Sequence, residues 1–219
     1  MADADIRPRR TGPLSRDRVV AAAAELADAD GLGALTMRSL ATALEVKPMS
    51  LYNHIADKED LLDGMVDLVF GHIALPDAHG RWRPEIRTRA ASAREVLARH
   101  PWALALMDSR STPGPATLRH HDAVVGVLMN NGFSPAMTAR AYTIVDSYVY
   151  GFVLQEASFP LDPGTDPSEA IGAVPDDTLY PHLAALATEH LMRPGFSFRA
   201  EFEPGLDLVL DAVGGLAGR

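Results

Sequence analysis

The run LTMRSLATALEVKPMSLYNHIADKEDLLDGMVD, residues 35 to 67, carries three helix starts in close succession. Thr36 is a good N-cap for a short helix, MRSLATAL, whose Met37, Leu40, Ala41 and Leu44 form an inner stripe. A turn through Glu45 and Val46 follows. The segment KPMSLYNHI, residues 47 to 55, predicts a second short helix, and Pro48 fits its first turn because the amide it lacks has no helical acceptor there. Asp57 then caps a longer helix, KEDLLDGMVDLVFGHI, with Leu61, Leu62, Met65, Leu68, Val69 and Ile73 apolar. Upstream, Ser15 caps RDRVVAAAAELADAD, which sets Val19, Ala22, Ala23, Leu26 and Ala27 on one face and ends at Gly31.

Two short helices joined by a tight turn and backed by a supporting helix make the tri-helical unit of helix-turn-helix proteins, in which the second short helix enters the major groove. Leu51 and Ile55, four apart, face inward and leave Lys47, Pro48, Ser50, Asn53 and His54 outward. Those groups suit base edges and phosphates. The Tyr52 hydroxyl and Lys58, at a helix start that favours anions, read as positioning contacts, while Arg38 can address guanine in a bidentate way. The bland alternative is an ordinary amphipathic pair, with Tyr52 in a core and His54 a surface histidine.

Outward from this run, 47% apolar residues suffice for a packed core, and the prevalence of Ala and Leu over aromatic residues favours an all-α fold. The net charge of −9 is unevenly placed: residues 1 to 58 hold eight basic and eight acidic side chains, so the excess lies beyond them. An acidic body behind a locally basic face is compatible with DNA, because only the contacting surface must attract phosphate. The chain has no cysteine, which excludes disulfides, thiol nucleophiles and thiolate metal sites. With no apolar run of 18 residues and no apolar stretch behind the first charges, a cytoplasmic protein is expected.

The expected organisation is a flexible N-terminal arm over residues 1 to 14, a helix-turn-helix domain over 15 to 75, a Pro/Gly break at LPDAHGRW, and a larger helical domain over 82 to 219. In the last, periodicity predicts helices at about 83 to 99, 102 to 109, 115 to 131, 135 to 158, 176 to 192 and 203 to 217, with a mobile loop over 160 to 175. The helix at 135 to 158 groups Ala141, Val145, Tyr148, Val149 and Phe152. The last groups Phe202, Leu206, Val209, Leu210 and Val213. Each set offers more apolar surface than one small domain easily hides, though both would also suit plain core helices.

The spacing of Leu35-Thr36, Arg38, Leu40-Ala41, Leu44, Val46, Leu51-Tyr52, His54, Lys58 and Leu61-Leu62 resembles the DNA-binding signature of the Tet repressor family. That resemblance implies a tetra-helical DNA-binding domain, phosphate contacts from Thr36, Tyr52, His54 and Lys58, and base readout by Arg38, Lys47, Pro48, Met49 and Ser50. Pro48-Met49 stand where the tetracycline-responsive members have Gln-Pro, so a different operator is expected. The stretch NNGFSPAMTARAYTIVDSYVYGFVLQEASF, residues 130 to 159, is similar to the matching helix pair of those members. It implies that residues 135 to 158 and the last helix pair with their copies in a four-helix homodimer interface, in keeping with two-fold operators. Where those members chelate a magnesium–drug complex with a histidine and a glutamate, this chain has Met107 and Gln155, and a thioether and an amide are poor ligands for a hard cation. A ligand pocket between the helices would draw on Trp102, Met107, Met129, Tyr142, Asp146, Tyr150 and Gln155, with His120 and His121 ambiguous. The Met and Tyr content points to an adaptable apolar or aromatic ligand.

These readings combine into a ligand-responsive DNA-binding regulator, a repressor released from a palindromic operator by a small-molecule inducer. Catalysis is not expected: the chain has no GxSxG, HExxH, P-loop or dinucleotide fingerprint, and no His-x-x-x-His pair. No cofactor or metal is expected. The remaining alternative is a helical ligand-binding dimer whose DNA-binding domain has degenerated.

Overall fold

A computed structural model describes residues 12 to 109, 112 to 158 and 174 to 215. They form helices α1 (Arg16–Asp30), α2 (Met37–Ala43), α3 (Pro48–Leu51), α4 (Lys58–His72), α5 (Trp82–Arg99), α6 (Trp102–Ser109), α7 (Pro115–Asn130), α8 (Pro135–Ser158), α9 (Pro181–Leu186) and α10 (Phe202–Gly214). Among the described residues no strand occurs, so the fold is all-α. The expected arm over residues 1 to 14 lies largely outside the described residues, and the expected loop over 160 to 175 almost wholly so.

The chain divides into two compact units. One comprises residues 1 to 77 and 95 to 124, the other 78 to 94 and 125 to 219. In the first, α1 to α4 close around Val19, Ala23, Ala27, Leu40, Leu51, Ile55, Leu61, Met65 and Val69, all buried. Local signals set these helices. Ser15 Oγ accepts the Arg18 amide, and the Asp57 carboxylate accepts the Asp60 amide at 2.8 Å. Thr36 and Ser39 form a reciprocal capping box. The inner face of α1 is rotated from the expected one: Val20 and Ala24 are buried, whereas Ala22 and Leu26 are half-buried.

Between α2 and α3 the chain makes a Schellman turn. The Val46 amide donates to the Ala41 carbonyl at 2.9 Å and the Glu45 amide to Thr42 at 3.1 Å. Glu45 therefore takes φ 57°, a left-handed conformation that a side chain makes costly. The recognition segment is shorter as α-helix than the nine residues expected. Beyond Leu51 the His54 amide donates to the Leu51 carbonyl, a tighter turn, and the Ala56 amide is taken by the Asp60 carboxylate at 2.8 Å. The Ile55 amide still reaches the Leu51 carbonyl at 3.1 Å, and the segment goes no further because the following donor, the Ala56 amide, is committed to the cap of α4.

In the second unit the core joins Ile86, Ala90 and Ala93 of α5, Val127 and Leu128 of α7, Val145, Val149 and Val153 of α8, and Leu206, Leu210 and Val213 of α10. Trp82 meets Phe133 edge-on at 5.4 Å, and Phe152, Phe198, Phe202 and Tyr148 form an aromatic cluster. Tyr148 donates to the Phe202 carbonyl at 2.7 Å, and burial pushes its hydroxyl up to about 12. The apolar sets on α8 and α10 are thus largely consumed within one chain: Ala141, Val145, Val149, Phe152, Phe202, Leu206, Leu210 and Val213 are buried against each other, and what those helices leave exposed is Ile144, Leu154 and Leu208. The helix expected from 176 starts instead at Pro181, because the Asp176 carboxylate accepts the Thr178 and Leu179 amides and turns the chain there. A π-helical turn, Ala187–Leu191, follows α9.

Candidate nucleic-acid interface and buried polar cluster

Leu51 and Ile55 anchor α3 and the turn after it in the core of the first unit, and everything else on that segment follows from their burial. Lys47, Pro48, Met49, Tyr52 and Asn53 are exposed, and Ser50 and His54 are half-buried. Thr36, Arg38 and Lys58, on flanking elements of the same unit, are exposed as well. Thr36 also caps α2, so its hydroxyl lies beside the free amides of a helix start. The entry to α4 is locked from below: Arg16 of α1 holds the Asp60 carboxylate through both terminal nitrogens, at 2.8 and 2.7 Å. Hydrogen bonding from Arg16, joined by the Ala56 amide, keeps the Asp60 carboxyl below the usual carboxylate range. This brace joins the supporting helix to the cap that ends the recognition turn.

In the second unit, Arg89 of α5 is fully buried and donates to the Asp146 carboxylate of α8, and the Tyr150 hydroxyl donates to the same carboxylate at 3.1 Å. Tyr142 lies under the Arg89 guanidinium, 5.7 Å from it. Burial pulls the Arg89 pKa down, but the charge and hydrogen bond of Asp146 outweigh it and hold the guanidinium charged. Burial first, and then Asp146, push the Tyr142 and Tyr150 hydroxyls upward, so both are neutral donors at physiological pH. A second pair, Arg94 with Glu156, lies beside Phe152 and Phe202.

Of the side chains expected to line a pocket, Tyr142, Asp146 and Tyr150 therefore share one cluster with Arg89. Met129 and Gln155 are exposed. Trp102 and Met107 belong to the first unit, where the Trp102 indole donates to Asp28 at 2.6 Å and Met107 is half-buried. His120 is buried with its ring 5.4 Å from Phe70, and His121 is half-buried at the same distance from that ring. The first unit also holds an open cleft of ≈ 520 Å³, lined by residues that include Asp63, Asp67 and His72, and none of the seven expected pocket residues borders it. Asp67 there accepts the Thr117 amide and hydroxyl at 2.8 and 2.9 Å, capping α7 from α4.

Sequence reasoning missed Arg89. The signal was present: it stands three after Ile86, next to Ala90 and four before Ala93, within the apolar stripe of α5. A basic residue in such a stripe must find a buried partner.

Two family profiles match the chain: "Bacterial regulatory proteins, tetR family" over residues 19–65 and "Tetracyclin repressor-like, C-terminal domain" over residues 75–216. The chain belongs to the Tet repressor family. It is a ligand-responsive, DNA-binding transcriptional regulator of that family, whose relatives are regulators rather than enzymes. An HTH-type transcriptional regulator of Saccharopolyspora erythraea is 36% identical over 95% of this chain and 89% of its own length. The class A tetracycline repressor of transposon 1721 from Escherichia coli is 31% identical over 91% and 90%. Among solved structures, the Tet repressor family protein ActR of Streptomyces coelicolor in complex with actinorhodin has a TM-score of 0.76 at 26% identity, covering 95% of this chain and all of that one.

Proposed function

We propose that this regulator is a homodimeric repressor that binds a palindromic operator and is released by a magnesium-independent small-molecule inducer. Residues 15 to 75 form the DNA-binding domain and residues 82 to 219 the ligand-binding and dimerisation domain. The observation that carries the reading is that the expected contact set lies on one unit, exposed except for the half-buried Ser50 and His54, around an α3 pinned by Leu51 and Ile55. Thr36, Tyr52, His54 and Lys58 hold phosphates and fix the register. Arg38, Lys47, Pro48, Met49, Ser50 and Asn53 face bases.

Dimerisation is supported by the apolar side chains that α8 and α10 leave uncovered, Ile144, Leu154 and Leu208. The inducer is an aromatic molecule addressed by Tyr142, Asp146 and Tyr150, in line with a neighbour that binds actinorhodin. Whatever binds the DNA-incompetent conformation more tightly weakens operator binding by the factor with which DNA weakens it. The two recognition helices must sit about 34 to 36 Å apart, so a pivot of α4 by a few ångströms disengages them. The protein acts in the cytoplasm by binding and not by catalysis; no helix among the described residues is long and apolar enough to cross a membrane.

Selection of purified protein on random duplexes at two salt concentrations tests this. A palindrome with a steep salt slope is expected. Salt-sensitive binding without a motif would instead favour a ligand-binding dimer with a degenerate DNA-binding domain.

A further inference from the structure

The leading edge of α3 is apolar where a base reader is ordinarily polar. Pro48 and Met49 open the helix, both exposed, and Met49 leaves 73% of its surface open, as much as any large apolar side chain among the described residues. Two residues on, Leu51 is fully buried, so Met49 is turned away from the core and serves no packing role there. A thioether has no hydrogen-bond donor and is a weak acceptor, and Pro48 beside it has no amide hydrogen. Neither can read a base edge by hydrogen bonding. In the major groove the apolar feature that distinguishes one base from the others is the 5-methyl group of thymine.

We infer that Met49 is a specificity-determining residue that reads a thymine methyl in each operator half-site, with the Pro48 ring extending the same apolar contact. Lys47 and Ser50, on either side, supply the hydrogen bonds to neighbouring bases. The half-site therefore carries a thymine opposite Met49, and its methyl group, not its hydrogen-bonding edge, is what counts. This inference rests on α3 being the recognition helix.

The test uses the full chain and the duplex recovered by selection. Each thymine is replaced by uracil, which deletes the methyl and keeps the hydrogen-bonding edge, and affinities are measured for the native protein and for Met49→Ala. One uracil in one half-site is expected to weaken the native protein about 4-fold, and the symmetric pair about 15-fold, because one methyl fewer is buried per half-site. Met49→Ala should bind more weakly from the outset and be indifferent to that uracil, whereas Met49→Leu should retain the discrimination. Exposure of the side chain means that Met49→Ala folds normally, checked by circular dichroism. The inference is overturned if the native protein tolerates uracil at every position, or if Met49→Ala is weakened by the same factor as the native protein. Selection that returns no motif would sink the recognition-helix reading itself, and this one with it; a motif whose thymines can all become uracil sinks this one alone.

Discussion

Replacing Asp146 by Ala removes the counter-charge of the Arg89 guanidinium inside the second unit, and the two partners of this pair are unequally placed to tolerate separation. The Arg89 side chain is 1% exposed and that of Asp146 16%. Breaking a buried pair by deleting one member costs about 3 to 5 kcal/mol, because the survivor is left charged without water. Asp146→Ala belongs in that range, since Arg89 has no route to solvent. Arg89→Met should cost less, about 1 to 2 kcal/mol, because the carboxylate can still reach water through its exposed part and keeps the Tyr150 hydroxyl. The double variant Arg89→Met/Asp146→Leu, which replaces both charges by apolar volume, should return to within about 1 kcal/mol of the native protein. For a chain of this size 1 kcal/mol moves the midpoint by about 2 to 4 °C, so Asp146→Ala should melt roughly 10 °C low. Thermal unfolding by circular dichroism, at one protein concentration for the native protein, Asp146→Ala, Asp146→Leu, Arg89→Met and the double variant, measures the cycle, in which Asp146→Leu and Arg89→Met are the singles. Asp146→Ala melting within 2 °C of the native protein, or a double variant as unstable as the sum of the singles, would refute the buried-charge argument.

Three further outcomes follow from the first unit. The Asp60 carboxyl is held low by Arg16, so its contribution is full above the ordinary aspartate pKa of about 4 and fades as pH falls below that through the folded value. Asp60→Ala should therefore cost about 1 kcal/mol at neutral pH, chiefly by freeing the Ala56 amide and cutting a half-exposed ion pair, and the difference from the native protein should shrink in acid titrations. Glu45→Gly should stabilise by about 1 kcal/mol in urea titrations, because the Schellman turn needs φ 57° there; an unchanged or lowered midpoint would contradict that account. Tyr52→Phe and Lys58→Met should weaken operator and random DNA alike, and Lys58→Met should lower the slope of log affinity against log salt by about 1 per protomer, one phosphate fewer being neutralised by each; a selective effect on one sequence would make them base readers instead.

What the sequence determined by itself is the part of the protein written at short range. Ser15, Thr36 and Asp57 each satisfy the amide three residues ahead, and helical periodicity spans four, so α1, α2 and α4 and the outward set from Lys47 to Lys58 were legible from neighbours alone. The tertiary structure decided whatever depends on a partner far along the chain. The turn that follows α3 stops at Ile55 because Asp60 takes the Ala56 amide while Arg16, 44 residues back from Asp60, orients that carboxylate. The apolar faces of α8 and α10 could have been reserved for a second copy, and only their packing on each other shows which side chains one chain consumes. Arg89 is stable in a helical stripe only because Asp146, 57 residues on, meets it in the core; desolvation makes an unpaired charge there prohibitive, and no local pattern names the partner.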